Sequence, residues 1–264
     1  MSNDERIIHQ LDDSGVLHLT LNRPHRKNAF DEDQWDAFAD ALRAANDDPA
    51  VAVVLLSGAD GNFSSGVDLS SFGGPPRPPR EDGHASGFFA CVSAIFDFEK
   101  PLIAAVQGVA VGGGCTIAVA CDFMYVGESL RMRLPFANLG LTPEIASSYT
   151  LQTAIGRQRA NEIMFTAEWI DADRALELGM CARVLPDDDL VATALDKARE
   201  IAQWPVSSLV SIKRTMQTAH RAGIEAAREI EDSEMRRLSG SAENIEAITA
   251  FMEKRDPDFR QFRT

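Results

Sequence analysis

This chain of 264 residues is poor in the groups that metals and disulfides need. Its four cysteines (Cys91, Cys115, Cys121 and Cys181) lie in apolar surroundings without CxxC spacing, which reads as buried free thiols in a reducing compartment. Its five histidines (His9, His18, His25, His84 and His220) form no HExxH motif and no Cys/His cluster, so no structural or catalytic metal is expected. Positive charge is also scarce: 26 Lys and Arg stand against 40 Asp and Glu, a formal net charge of -14. That balance argues against nucleic acid and against an anionic membrane surface as main partners. A few local cations could still hold an anionic small ligand. No apolar run reaches membrane-spanning length. The first ten residues, MSNDERIIHQ, lack the features of a signal or transit peptide, and the last five, RQFRT, are not a peroxisomal tripeptide of the Ser-Lys-Leu type. The expected location is the cytoplasm.

What is present is an ordinary globular composition in a chain long enough for a sizeable core. Ile7–Gln10 and Val16–Leu21 read as strands around a turn at Asp12–Gly15. His18 is read as an ordinary strand residue. A basic loop, NRPHRKNA (Asn22–Ala29), leads to a helix from Asp31 to about Ala45, with Trp35, Phe38 and Leu42 on one face. Val51–Leu56, Leu102–Val106 and Asp122–Val126 have the continuous apolar character of strands covered on both faces. Between them lie a helix at Ala85–Phe98 and a short one ending at Ala120. Strand alternating with helix predicts an α/β core with parallel pairing. After Glu144 the pattern is helical: about Ile145–Ala154, Arg157–Phe165, Ala172–Leu178, Asp188–Gln203, Ser207–His220, Ile224–Leu238 and Ala242–Lys254. Residues 1–200 are read as the core and 201–264 as a helical C-terminal region. The proline-rich segment Gly73–Gly83 reads as a surface loop beside a ligand site, or as a PxxP ligand for a partner.

Three stretches could carry chemistry. Gly112-Gly113-Gly114 follows an apolar strand and could present backbone N–H groups at a helix start. It is neither a P-loop nor the dinucleotide fingerprint, and close helix–strand packing would explain it equally. The loop Phe63–Leu69 could offer a second N–H, and two such amides facing one point make an oxyanion hole. Ser64 and Ser65 lie in no Gly-x-Ser-x-Gly elbow and are not read as nucleophiles. The third stretch is Phe136–Tyr149, FANLGLTPEIASSY. Thr142 as a cap and Pro143 at the first helical position would put Glu144 in a first turn. There Glu144 is either a general base among apolar neighbours or an acid favoured by the helix dipole alone.

Taken in order, NRPHRKNA, FSSGVDL (Phe63–Leu69), GVAVGGGC (Gly108–Cys115), CDFMYVGE (Cys121–Glu128) and FANLGLTPE (Phe136–Glu144) resemble the crotonase, or enoyl-CoA hydratase/isomerase, superfamily over nearly the whole chain. The resemblance implies an α/β fold, a crotonase (ClpP-like) spiral of ββα units with a C-terminal helical trimerisation region. It implies a homotrimer or dimer of trimers, and an acyl-CoA thioester substrate in which coenzyme A is part of the substrate, with no separate cofactor. The oxyanion-hole amides carry over to Val67 and Gly113. Coenzyme A binding carries over to Arg26 and to the run Ser65, Gly66, Val67, Asp68 and Leu69 near the adenine. Lys254 is a candidate for the phosphates, from a neighbouring subunit, and Arg23 and Lys27 are further cations of the basic loop.

The departures from that pattern bear on the reaction. Hydratases of the family carry one glutamate directly after the Gly-Gly-Gly-Cys run and a second near the next active-site segment. This chain has Thr116 and Phe136 there. Glu144 instead resembles the acid of one branch of Δ3,Δ2-enoyl-CoA isomerases. That reading makes Glu144 a single acid/base on an apolar wall of Phe136, Leu139, Leu141 and Ile145, in fatty-acid β-oxidation. Its rivals are hydration, thioester hydrolysis or another crotonase reaction at the same residue, and an acyl-CoA-binding module without turnover. The loop near Gly73–His84 and the helix at Phe88–Phe98 are expected to shape the acyl tunnel.

Overall fold

The computed structural model describes residues 5–68, 78, 80 and 83–263. Strands β1 (Ile7–Leu11) and β2 (Val16–Leu21) form an antiparallel hairpin. Its turn is held by Asp12, which accepts hydrogen bonds from the N–H groups of Ser14 and Val16 at 2.9 and 3.1 Å. Helix α1 (Glu32–Asp47) starts where Asp31 accepts from Gln34 N at 2.9 Å, a side-chain cap on an otherwise orphan donor. Then come β3 (Val53–Gly58), α2 (Gly87–Asp97), β4 (Leu102–Val106), β5 (Val109–Val111), α3 (Gly113–Ala120), β6 (Phe123–Gly127) and β7 (Arg131–Arg133). The remainder is α4 (Ser147–Ile155), α5 (Arg157–Thr166), α6 (Ala172–Leu178), β8 (Arg183–Leu185), α7 (Asp187–Ala202), α8 (Val206–Thr218), α9 (Arg221–Leu238) and α10 (Ala242–Glu253).

Six strands make one sheet in the order β1-β2-β3-β4-β6-β8, parallel throughout except for the β1–β2 hairpin. Because side chains alternate across a strand, each central strand feeds two cores. Val54, Leu56, Leu102, Ala104, Met124 and Val126 face the larger one, shared with α1 and α2. Val53, Leu55, Ile103, Ala105 and Tyr125 face α7 through Leu190, Ala194 and Ala198. This two-sided burial is the physical content of the unbroken apolar runs in the sequence. All four cysteines are buried and unpaired. His18 hydrogen-bonds Ser57 Oγ at 2.8 Å within the sheet.

Three strands were not expected from sequence. β5 and β7 pair with each other in a second, two-stranded parallel sheet, and β8 ends the main one. Each has only three residues, too few for a period of two to show. A second correction matters more for the site. Helix α4 begins at Ser147, not at Thr142, so Glu144 precedes the helix and is not in its first turn. Ile145 and Ala146 both take left-handed backbone angles (φ 54° and 53°) and form a turn in which Ser147 N–H donates to Glu144 C=O at 3.0 Å. Glu144 is therefore not a first-turn acid of α4.

Candidate active site

The first wall of the site is the loop after β3. It is laced to β5: Ser64 N–H donates to Val109 C=O at 2.9 Å, and Val111 N–H donates to Ser64 C=O at 3.0 Å. Its next residues pair in parallel fashion with Phe30, whose N–H donates to Gly66 C=O at 2.7 Å and whose carbonyl accepts from Asp68 N at 2.8 Å. In a parallel bridge of this kind the intervening residue turns its own N–H the other way. That residue is Val67, and it borders a cleft of about 1010 Å³. Gly66 is required here: its φ is +88°, and a Cβ would meet Val111 O at 2.4 Å.

The second wall is the start of α3. Gly113 is its first residue, so its N–H has no partner one turn back. Among the described residues neither Val67 N–H nor Gly113 N–H meets an acceptor, and both residues border the cleft. A Cβ on Gly113 would stand 3.0 Å from Trp35 Cη2 and 3.4 Å from Glu144 Oε1. Glu144 therefore lies against the start of α3 that carries Gly113. Trp35 stacks on Phe30 at 4.1 Å between ring centroids and meets Phe88 edge-on at 5.3 Å, closing the space under Gly113 with aromatic surface.

Burial in this apolar frame, with Glu231 of α9 as a second cause, pushes the Glu144 carboxyl up from its ordinary 4.5 to about 7. Glu231 is buried. Its two oxygens accept the N–H groups of Ala146 at 2.7 Å and Ser148 at 2.8 Å. The sequence reading passed over it. The available signal was weak: in α9, Ala227 and Glu231 fall one turn apart on the buried side, but that helix is rich in acids throughout.

The other expected residues divide. Ser65, Gly66, Phe136 and Leu139 border the cleft with Val67, Gly113 and Glu144. Asp68 does not. It is buried in an ion pair with Arg23, 3.0 Å from Nη2, and Arg23 also meets Asp31 at 3.1 Å. The two groups tie the basic loop to the loop after β3. Arg26 and Lys27 are exposed on a short turn, where Arg26 C=O accepts from Ser65 Oγ at 3.1 Å. Lys254 is exposed at the end of α10 with φ 56° and lies outside the cleft lining; its neighbour Arg255 borders the cleft. Leu69 and most of Gly73–Gly83 lie outside the described residues. Thr116 is buried and donates to Gly113 C=O at 3.2 Å, and Phe136 is buried, so no carboxylate occupies either hydratase position. Among the described residues no cluster of metal-ligating side chains occurs, and no helix is long and apolar enough to cross a membrane.

The C-terminal helices close the cleft. Glu231 and Met235 of α9 and Asn244 and Ala247 of α10 border it, and Asn244 Nδ2 donates to Leu139 C=O at 2.7 Å. Phe88, Phe89 and Val92 of α2 face it from the other side.

Comparison with known proteins agrees with this construction. The family model described as enoyl-CoA hydratase/isomerase matches residues 12–262. The chain is 32% identical to 1,2-epoxyphenylacetyl-CoA isomerase of Escherichia coli, over 94% of this chain and 95% of that protein. It is 31% identical to 2,3-dehydroadipyl-CoA hydratase of the same organism, over 93% and 95%. A crystal structure of an enoyl-CoA hydratase/isomerase from Pseudoalteromonas atlantica superposes with a TM-score of 0.91 at 35% identity, covering 96% of this chain and 99% of that one. With a match over this length, the mostly parallel sheet and the pair of free amides opposite a buried carboxyl, this chain belongs to the enoyl-CoA hydratase/isomerase family and is an enzyme with the crotonase fold.

Proposed function

We propose that the enzyme is a Δ3,Δ2-enoyl-CoA isomerase with Glu144 as its one acid/base. The observation that carries this reading is the lone reach of Glu144 to the amide wall: its Oε1 lies 3.4 Å from where a Gly113 Cβ would be, while Thr116 and Phe136 stand at the two hydratase positions. In the reaction, the Glu144 carboxylate removes a proton from C2 of a 3-enoyl thioester. The electron pair of that C–H bond moves toward the thioester carbonyl, and the negative charge on its oxygen is held by Val67 and Gly113 N–H. The protonated Glu144 then returns the proton to C4, and the C3–C4 double bond becomes C2–C3. A carboxyl that titrates near 7 suits both halves of this exchange.

Hydration, named in several relatives, would need a second carboxylate to orient water. Glu231 is the carboxylate that acts on Glu144, and both its oxygens accept backbone N–H groups. That favours isomerisation. On this reading the substrate is an acyl-CoA thioester and no separate cofactor is used. The exposed cations Arg26, Lys27 and Lys254 would meet the coenzyme A phosphates, with Ser65 and Gly66 near the adenine. Trp204, Ile212 and Met216 leave apolar surface exposed on and beside α8, which supports assembly into a homotrimer or a dimer of trimers.

The test is a paired assay. Conversion of trans-3-hexenoyl-CoA to the conjugated 2-enoyl-CoA is followed by ultraviolet absorbance, and hydration of crotonyl-CoA is followed beside it. Isomerisation that drops by about 100- to 10,000-fold in Glu144→Gln, with little hydration in either protein, is the expected result. Hydration without isomerisation would sink the proposal.

A further inference from the structure

The turn after Glu144 is left-handed at two successive residues that are not glycine, Ile145 and Ala146. Each resists that conformation on its own, so something outside the turn holds it. Ala146 precedes α4 and has no side chain to cap it. The cap comes from 85 positions further along: Glu231 Oε2 accepts Ala146 N–H at 2.7 Å, and Oε1 accepts Ser148 N–H at 2.8 Å. One carboxylate on α9 thus ties the left-handed residue Ala146 of the turn that begins at Glu144 to Ser148 in the first turn of α4. Glu231 is only 5% exposed, and it borders the same cleft as Glu144.

We propose that Glu231 is the positioning residue for Glu144: it locks the turn that aims Glu144 at the amide wall and sets a second buried carboxyl beside it. The inference rests on the reading of Glu144 as the acid/base group. Two buried acids in one wall oppose each other's ionisation, which raises the Glu144 carboxyl beyond what burial alone would do. Burial also lifts Glu231, while its bonds to Ser148 and Ala146 draw it back toward the ionised form. The other ionisable groups lining the cleft around the pair are Glu225, Arg228, Glu229 and Asp232 on α9, Glu32 on α1, Arg133 on β7 and Arg255 after α10, with Cys91 on α2 close by. Asp232 lifts Glu231 further. Arg228 donates to Ser93 Oγ at 3.2 Å and lies over Phe96. The Cys91 thiol, pushed well up by burial and by Glu144, stays neutral. Beyond burial, the group that lifts the Glu144 carboxyl is Glu231.

Two readouts test this, one of which needs no substrate. Infrared titration of the protein labelled with 13C-glutamate, taken as the difference from its Glu144→Gln counterpart, follows the Glu144 carboxylate alone. The wild-type midpoint is expected near 7. In Glu231→Gln it is expected to fall by about one pH unit, and the acid limb of kcat/KM for isomerisation should move with it. A midpoint and acid limb that both stay in place overturn the proposal, even if the variant melts at lower temperature. Glu231→Asp keeps the charge and shortens the reach, so it covers the case in which Glu231→Gln does not fold. Its midpoint should remain near 7 while kcat falls about tenfold with little change in KM; an unchanged kcat would overturn the positioning role. If the midpoint moves as expected but the wild type does not isomerise 3-enoyl thioesters, the Glu231–Glu144 relationship stands and the reaction assignment fails.

Discussion

Gly114 of α3 packs directly against Ser64: a Cβ there would lie 2.4 Å from Ser64 O and 2.8 Å from Ser64 Cβ. Its backbone is not left-handed, so the requirement is purely one of space. The contact sets the distance between α3, which carries Gly113, and the loop that carries Val67. Gly114→Ala should therefore spread the two amides. The expected outcome is a loss of kcat of about 100-fold or more, comparable to losing one oxyanion-hole donor. KM should change less, because the cations of the basic loop are untouched. A variant that folds and retains wild-type kcat would show that the two amides do not act together.

The raised carboxyl of Glu144 makes a prediction about stability that needs no assay of turnover. In the unfolded chain the group has its ordinary value of 4.5, and in the folded protein about 7. The folded state thus favours the protonated form. Below 4.5 the group is protonated in both states and burial carries no charge penalty. As pH rises through 7 the folded protein must hold a buried carboxylate, and stability falls by something on the order of 3 kcal/mol. Glu144→Gln removes that term. The variant and wild type should melt together near pH 4.5, and the variant should melt several degrees higher at pH 8. Coincident melting curves at both pH values would show that Glu144 ionises without strain.

How legible this was from sequence depended on the kind of signal. The strands at Val16–Leu21 and Leu102–Val106 and the helix Ala172–Leu178 appear with the expected bounds, because apolar runs and caps are local features. The glycines at 66 and 113 were legible because close backbone approach leaves a glycine in the sequence. The turn after Glu144 was not. Thr142-Pro143-Glu144 has the composition of a helix start, yet its backbone departs at Ile145 and Ala146 because a carboxylate far along the chain holds the N–H groups there. No local rule reports a cap from another helix. The Asp68 contact was illegible for a similar reason: next to Val67 in sequence, Asp68 turns inward to Arg23, a contact across 45 positions.

That ion pair is itself a test of how the amide wall is held. Arg23 is buried, with Nη2 3.0 Å from Asp68 and 3.1 Å from Asp31, and Nη1 donating to Ala29 C=O. Asp31 has a second cation, Arg6, at 2.8 Å. Arg23→Met removes a buried cation from both Asp68 and Asp31 and should lower stability in urea unfolding by about 3 kcal/mol. Changing both partners, Arg23→Met with Asp68→Leu, should recover part of that loss, since a buried pair replaced by apolar groups leaves no stranded charge. If the double variant is as unstable as the sum of the singles, the two residues are not coupled.

Asn244 joins the C-terminal region to the wall of the cleft. It is 1% exposed, its Nδ2 donates to Leu139 C=O at 2.7 Å, and its Oδ1 accepts from Gly240 N–H at 3.0 Å. Gly140, beside Leu139, has φ +62°, and a Cβ there would meet Asn244 N at 3.1 Å, so α10 is seated tightly on this segment. Asn244→Ala leaves the Leu139 carbonyl and the Gly240 amide without these partners and should cost about 1–3 kcal/mol. The effect on turnover should differ from that of Gly114→Ala. Leu139 and α10 frame the cleft away from Val67 and the start of α3, so on the proposed reading KM for the thioester should rise by a few fold with kcat nearly kept. A fall in kcat at constant KM would instead mean that α10 acts on Glu144 through the Phe136–Glu144 segment and not on substrate binding.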